Sequence, residues 1–151
     1  MKTDSSCIQH TLEYLFVYGT LRKARDGSVH PFLRQSQFFQ PASVAGRLYL
    51  IGHYPGAVVD SLNSGSRIQG EVYRLPEPVR QFEMLDDYEE CTEQYPQPHE
   101  YRRIAVKTRL SNGLKIQTWM YEFNHQVTGL KWLTGGDYIT YLPQTHPHRT
   151  D

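Results

Sequence analysis

The chain has 151 residues, about the length of one compact domain, with 38% hydrophobic and 21% charged residues. Sixteen Lys and Arg offset sixteen Asp and Glu, and nothing in the sequence resembles the concentrated positive face of a nucleic-acid binder. The longest apolar runs are a few residues, against the roughly 20 that cross a bilayer, so a membrane-spanning helix is excluded.

Residues 1–13 read as a flexible N-terminal segment without the apolar stretch of a secretory signal. Glu13 to Val17 is rich in strand formers and runs into Tyr18-Gly19-Thr20, which predicts a mostly buried strand ending in a tight glycine turn. A polar loop through Asp26-Gly27-Ser28 leads to a short helix over Pro31 to Phe39, with Phe32, Leu33 and Phe38 or Phe39 inward. Ala42 to Ile51 is a strand in which Gly46 permits a bulge or a close approach. Tyr54-Pro55-Gly56 reads as a turn, with Ala57-Val58-Val59 as a short strand behind it. After a turn at Asn63-Ser64-Gly65-Ser66, a strand spans about Ile68 to Leu75. Pro76-Glu77-Pro78 then opens the main helix, since proline and acidic residues suit a first turn, and the helix runs to about Glu89. Glu90 to His99 is loop, with Pro96 and Pro98 in it. Glu100 to Leu110 and Leu114 to Phe123 are strands joined by the hairpin signal Ser111-Asn112-Gly113. A polar stretch from Gly135 leads into the tail, residues 143–151, and leaves a single domain over residues 14–142. The sum is an α+β fold, strand-dominated, with one main helix, a short second one and a partly closed barrel.

Within the main helix, Val79, Phe82 and Leu85 form one apolar stripe at about 100° per residue, and Glu89 falls near its centre. Glu83, Asp87 and Glu90 project elsewhere, with Asp86 at the stripe's edge. A carboxylate aimed at a core must be paired, hydrogen-bonded or protonated. Desolvation and the negative end of the helix dipole both raise its pKa, which suits a Glu for acid/base work near neutral pH. Two other fates are open to Glu89: swinging out to solvent as the helix frays, or pairing with an arginine such as Arg102. Arg102-Arg103 itself reads as a solvated strand edge.

The turn Tyr18-Gly19-Thr20-Leu21 can bring backbone amides close to a ligand and form an anion nest, or it can be an ordinary strand ending. It lacks the glycine spacing and the lysine of a phosphate loop. Eleven Tyr suit either a pocket wall or Tyr-rich β-structure. Cys7 and Cys91 match no metal spacing, lie in a terminal segment and a loop, and read as reduced thiols of a cytoplasmic chain. His10, His30, His53, His99 and His125 form no metal pattern, and His146 and His148 read as polar tail.

Taken together, Phe16-Val17-Tyr18-Gly19-Thr20-Leu21-Arg22 resembles the opening strand and loop of γ-glutamylcyclotransferase-like proteins, the group that includes γ-glutamylamine cyclotransferases and plant avirulence-induced proteins. Leu85-Asp86-Asp87-Tyr88-Glu89 resembles that family's leucine–aspartate, two variable residues and glutamate. The segments Glu100 to Val106 and Trp119 to Phe123 resemble two later strands, so the likeness runs from about residue 14 to residue 123. It implies a γ-glutamylcyclotransferase-like fold, a small mixed β-barrel around a pocket. It also implies release of 5-oxoproline from a small-molecule γ-glutamyl amino acid or amine, with no metal and no organic cofactor. By that resemblance Glu89 is the acid/base and Tyr18, Gly19, Thr20 and Leu21 bind substrate, while Tyr101 and Tyr121 match positions from which tyrosines can line the pocket. One departure stands out: the residue after the glutamate is often glycine in the family, and here it is Glu90. The same fold can also serve a non-catalytic binding or interaction module.

Overall fold

The computed structural model describes residues 12–24, 26–60, 62 and 65–142. Cys7, His10, His146 and His148, and the expected N-terminal segment and tail for the most part, lie outside the described residues.

The run Leu15-Phe16-Val17 carries no polar alternation because strand β1 (Tyr14–Val17) is buried on both faces. Phe16 joins a cluster with Val44, Ile68, Val72, Val106 and Met120, which fills the barrel. Leu15 and Val17 point the other way, into a second cluster with Leu33, Leu75, Phe82 and Leu85. This second layer lies between the barrel wall and the main helix.

Strand β1 pairs antiparallel with β4 (Arg67–Arg74) and parallel with β6 (Lys115–Phe123), and β6 pairs antiparallel with β5 (Tyr101–Leu110). Strand β2 (Gln37–Ile51) runs antiparallel to β4 and also meets β5 at Ala42 and Ser43. The order β2-β4-β1-β6-β5 therefore closes on itself as a five-stranded mixed barrel. From Gly46 onward β2 pairs instead with β3 (Tyr54–Val59), and at Tyr49 and Leu50 with the short β7 (Lys131–Trp132). A Cβ on Gly46 would lie 2.3 Å from the Val58 carbonyl oxygen, so the close approach expected there requires glycine.

Several boundaries differ from the sequence expectation. Strand β2 begins at Gln37, and Pro31–Leu33 is a single 3-10 turn rather than a helix reaching Phe39. Leu33 is buried as expected, but Phe38 and Phe39 are exposed. The ladder shifts register between Phe38 and Gln40, which lets Pro41 enter the strand just past the irregularity. The turn between β2 and β3 is Gly52-His53, with Gly52 at φ 68°, so Tyr54, Pro55 and Gly56 belong to β3. The short second helix expected over Pro31 to Phe39 is not there; a four-residue helix, α2 (Tyr138–Tyr141), forms instead within the stretch read as polar, where Tyr138 is buried and its hydroxyl donates to the His53 carbonyl.

The main helix, α1 (Pro78–Tyr88), has proline at its first turn as expected. Its buried face is Gln81, Phe82 and Leu85, whereas Val79 is 73% exposed. Gln81 replaces Val79 because both ends of its amide are satisfied: it accepts from the Glu77 N–H at 2.8 Å and donates to Ser36 Oγ at 2.9 Å.

Candidate active site

The ends of β1 and α1 meet around a cavity of about 680 Å³. Every residue singled out from the sequence borders it: Glu89, the turn Tyr18-Gly19-Thr20-Leu21, and Tyr101 and Tyr121.

Glu89 is the residue that caps the end of α1. The Glu90 N–H bonds the Asp87 carbonyl and the Cys91 N–H bonds the Asp86 carbonyl, both at 3.0 Å, which is a Schellman closure. The closure puts Glu90 at φ 58°, a left-handed conformation ordinarily given to glycine. With the chain turned there, the Glu89 side chain faces the cavity and keeps intermediate exposure. Among the described residues its carboxyl has no salt-bridge partner; Arg102, a candidate partner, pairs instead with Glu122 at 2.9 Å. Burial, followed by the nearby carboxylates of Glu100, Asp86 and Glu90, pushes the Glu89 carboxyl up from 4.5 to about 7.

The glycine turn is closed by the Arg22 N–H donating to the Gly19 carbonyl at 2.9 Å. A Cβ on Gly19 would fall 2.7 Å from Pro55 Cγ, so the turn packs against β3 only because residue 19 has no side chain. The amides of Gly19, Thr20 and Leu21 have no acceptor among the described residues. They are free N–H groups beside the cavity, the arrangement that binds a carboxylate or an oxyanion. Below the turn, Arg22 bridges Glu71 at 3.2 Å and Asp137 at 2.9 Å, and the Lys23 N–H donates to Glu71 at 3.0 Å.

The tyrosine hydroxyls are engaged by the scaffold. Tyr18 donates to the Tyr121 carbonyl at 2.7 Å and accepts from the Ala57 N–H at 3.2 Å. Tyr101 donates to the Pro55 carbonyl at 2.7 Å, and Tyr121 to Asp86 at 2.6 Å. Burial pushes all three phenols far above their ordinary range, so they stay neutral where they border the cavity.

Asp86 is a structural residue that periodicity placed only at a stripe's edge. It accepts from Arg103 at 2.8 and 3.1 Å as well as from Tyr121, and the Arg103 guanidinium lies over the rings of Phe82 and Trp119 at 4.6 and 4.4 Å. Arg103 is thus a clamp between α1 and the barrel rather than part of a solvated edge. Its sequence signal is the aspartate of the leucine–aspartate pair. Cys91 has its thiol pushed up to about 11, chiefly by burial, and does not border the cavity.

Sequence reasoning did not single out Tyr54, Pro55, Glu100 or Tyr95, which also border the cavity. Glu100 directly precedes Tyr101, and Tyr95 stands in the loop after Glu90; both positions were legible once Tyr101 and Glu90 were marked. Among the described residues no helix is long and apolar enough to cross a membrane, and no group of three or more His, Cys, Asp or Glu is placed to hold a metal ion.

A mixed barrel with one flanking helix, a free carboxyl at the helix end and free amides at the end of the first strand defines a narrow class. The family model described as gamma-glutamyl cyclotransferase, AIG2-like, matches residues 15–140, and the chain belongs to that family. It is 30% identical over 126 residues to the gamma-glutamylcyclotransferase family protein YtfP of Escherichia coli K12, covering 83% of this chain and 95% of that one. A protein of Methanocaldococcus jannaschii, whose gamma-glutamylcyclotransferase name is provisional, is 32% identical over 130 residues, covering 86% and 98% of the two chains. The crystal structure of an AIG2-like protein from Mus musculus superposes with a TM-score of 0.61 at 21% identity, covering 89% and 92%, a likeness of fold. The family and the names of these relatives support a gamma-glutamylcyclotransferase-like activity in general terms.

Proposed function

We infer that the protein releases 5-oxoproline from a γ-glutamyl amino acid or γ-glutamyl amine, with Glu89 carrying the proton. The observation that supports this most directly is an unpaired carboxyl, pushed up to about 7, facing a cavity that free backbone amides also border. The substrate's α-amine attacks its own γ-carbonyl carbon. The ring C–N bond forms, the amide C–N bond to the departing amine breaks, and the products together are an isomer of the substrate. Because the nucleophile is already tethered, the site has to fold the glutamyl chain and move two protons, one after the other, from the α-ammonium nitrogen to the departing nitrogen. Glu89 takes the first to free the attacking amine and hands it to the departing nitrogen, then takes the second from the ring nitrogen, and the amine leaves as an ammonium. A group titrating near neutrality can do both in turn, so neither a cofactor nor a second acid is needed.

The free amides of Gly19, Thr20 and Leu21 take the glutamyl α-carboxylate or the oxyanion of the tetrahedral intermediate. Tyr18, Tyr101 and Tyr121 shape the wall with their rings, their hydroxyls being bonded to the scaffold. The test is release of 5-oxoproline from a panel of γ-glutamyl amino acids and amines by wild type and by Glu89→Gln. Turnover should fall about a thousandfold in the variant. Comparable rates in both proteins would overturn the role of Glu89. Tight binding of panel compounds by wild type with no product would favour the non-catalytic module.

A further inference from the structure

The cavity is strongly one-sided in charge. Among the described residues three carboxylates border it, those of Glu89, Glu90 and Glu100, and no Lys or Arg does; the basic side chains among them are His99 and His125. Neither Glu90 nor Glu100 has a cationic partner among the described residues, and Glu100 is held by the Tyr54 hydroxyl at 2.9 and 3.1 Å. Burial first, and then the charges of both Glu100 and Glu90, raise the Tyr54 phenol and the Glu89 carboxyl, so these groups share one neighbourhood. The rings of Tyr54, Tyr88 and Tyr95 border the same space, and aromatic faces favour alkylammonium groups.

The glutamyl half of a substrate accounts for only part of this. Its α-carboxylate suits the free amides of the glycine turn, and its α-amine is the nucleophile that Glu89 serves. Glu90 and Glu100 are then left to face the departing half. A carboxylate there would meet two negative charges with no cationic partner among the described residues, whereas an ammonium group would pair with them. Glu90 is also the one non-glycine residue with positive φ among those described, so this carboxylate stands at a strained position where glycine would relieve the backbone.

Resting on the cyclotransferase reading of the cavity, we propose that Glu90 and Glu100 select γ-glutamyl compounds whose departing amine carries a second ammonium group and no carboxylate, a diamine or polyamine, over γ-glutamyl amino acids. The test uses three γ-glutamyl amides of matched length whose far ends differ in charge: those of 1,4-diaminobutane, n-butylamine and 4-aminobutanoic acid. Wild type should release 5-oxoproline from them in that order, with kcat/KM falling about tenfold at each step in low salt and the steps shrinking as salt is added. In the Glu90→Gln, Glu100→Gln double variant the three should fall within about threefold of one another, chiefly through a higher KM for the diaminobutane amide. Using ratios between substrates cancels any effect of the two substitutions on Glu89 itself. Equal or better turnover of the 4-aminobutanoate amide would overturn the selection, as would the full wild-type order in the double variant. No product from any of the three would overturn the cyclotransferase reading beneath it.

Discussion

Asp86 and Glu89 sit about one turn apart at the end of α1, yet their surroundings are opposite. Asp86 accepts two hydrogen bonds from Arg103 and one from Tyr121. Among the described residues Glu89 has no cationic partner, and it feels three other carboxylates. The same division runs through the molecule. Away from the cavity, Glu71 is matched by Arg22 and Glu122 by Arg102, each with a backbone N–H as well. At the cavity, among the described residues, neither Glu90 nor Glu100 has a cationic partner, and Glu100 accepts from the Tyr54 hydroxyl. The matched acids hold elements together, and the unmatched Glu90 and Glu100 add to the burial that raises the proton affinity of Glu89. Removing charges from either group tests the division.

The largest effect on stability should come from the matched group. Arg22 and Glu71 have side chains only 13% and 10% exposed. In Arg22→Met, Glu71 keeps the Lys23 N–H and the Tyr73 hydroxyl but loses its cation. Leaving a buried charge without its partner costs about 3 kcal/mol, which lowers Tm by roughly 6–12 °C for a chain of this size. Replacing both residues, as Arg22→Met with Glu71→Leu, should recover much of that loss, because the uncompensated charge is gone. A single variant within about 2 °C of wild type by thermal melting would show that Glu71 does not depend on Arg22.

The unmatched group should respond in the opposite sense and with pH. The folded-state pKa of Glu89, about 7, lies above its ordinary 4.5. Between those values the folded protein binds more protons than the unfolded chain, so this group's contribution to stability falls as pH rises through the window. Below about pH 4.5 there is no penalty, and above about pH 7 it is complete. Glu89→Gln removes it, so the variant should match wild type at pH 4.5 and exceed it at pH 8. Discounted for the partial exposure of the residue, the gain is about 1 kcal/mol, or roughly 2–4 °C in Tm. A Tm difference independent of pH would show that Glu89 titrates normally in the folded protein. The variant that is more stable is also the one expected to lose turnover, which is the trade expected of a functional group held in an unfavourable place.

How much of this was legible in the sequence follows from how local each signal is. The buried strand before Tyr18, the proline start of α1 and the hairpin at Ser111-Asn112-Gly113 depend on neighbours in the chain, and all three stand where they were expected. Helical spacing put Glu89 on the inward stripe but left its swing to solvent or a pairing with an arginine open, and Val79 of that stripe is exposed. Pro31 to Phe39 misled because proline followed by spaced aromatics imitates a helix start, while the register shift that admits Pro41 to β2 depends on pairing with β4. The partners of Asp86, Tyr18 and Tyr101 lie far away in sequence. No periodicity reports them, so the matched half of the charge division was invisible until the barrel closed.

The smallest effect, and the sharpest for the cavity, is at Glu90. Two terms act on its backbone. A non-glycine residue at φ 58° is strained by about 1 kcal/mol, while glycine there would gain freedom in the unfolded chain and return part of that. Losing the carboxylate adds a little in the same direction as the relief of strain, since it lies near Glu89 and Glu100. Glu90→Gly should therefore raise stability by about 0.5 kcal/mol, or roughly 1–2 °C in Tm. Glu90→Ala separates the two causes, because it removes the charge and keeps the strained φ. Were alanine to stabilise as much as glycine, the cost at this position would be electrostatic, and raising the salt concentration should abolish the gain. Were alanine neutral, the backbone would account for the cost, and the Schellman closure would be carrying a carboxylate at the mouth of the cavity against its own conformational preference.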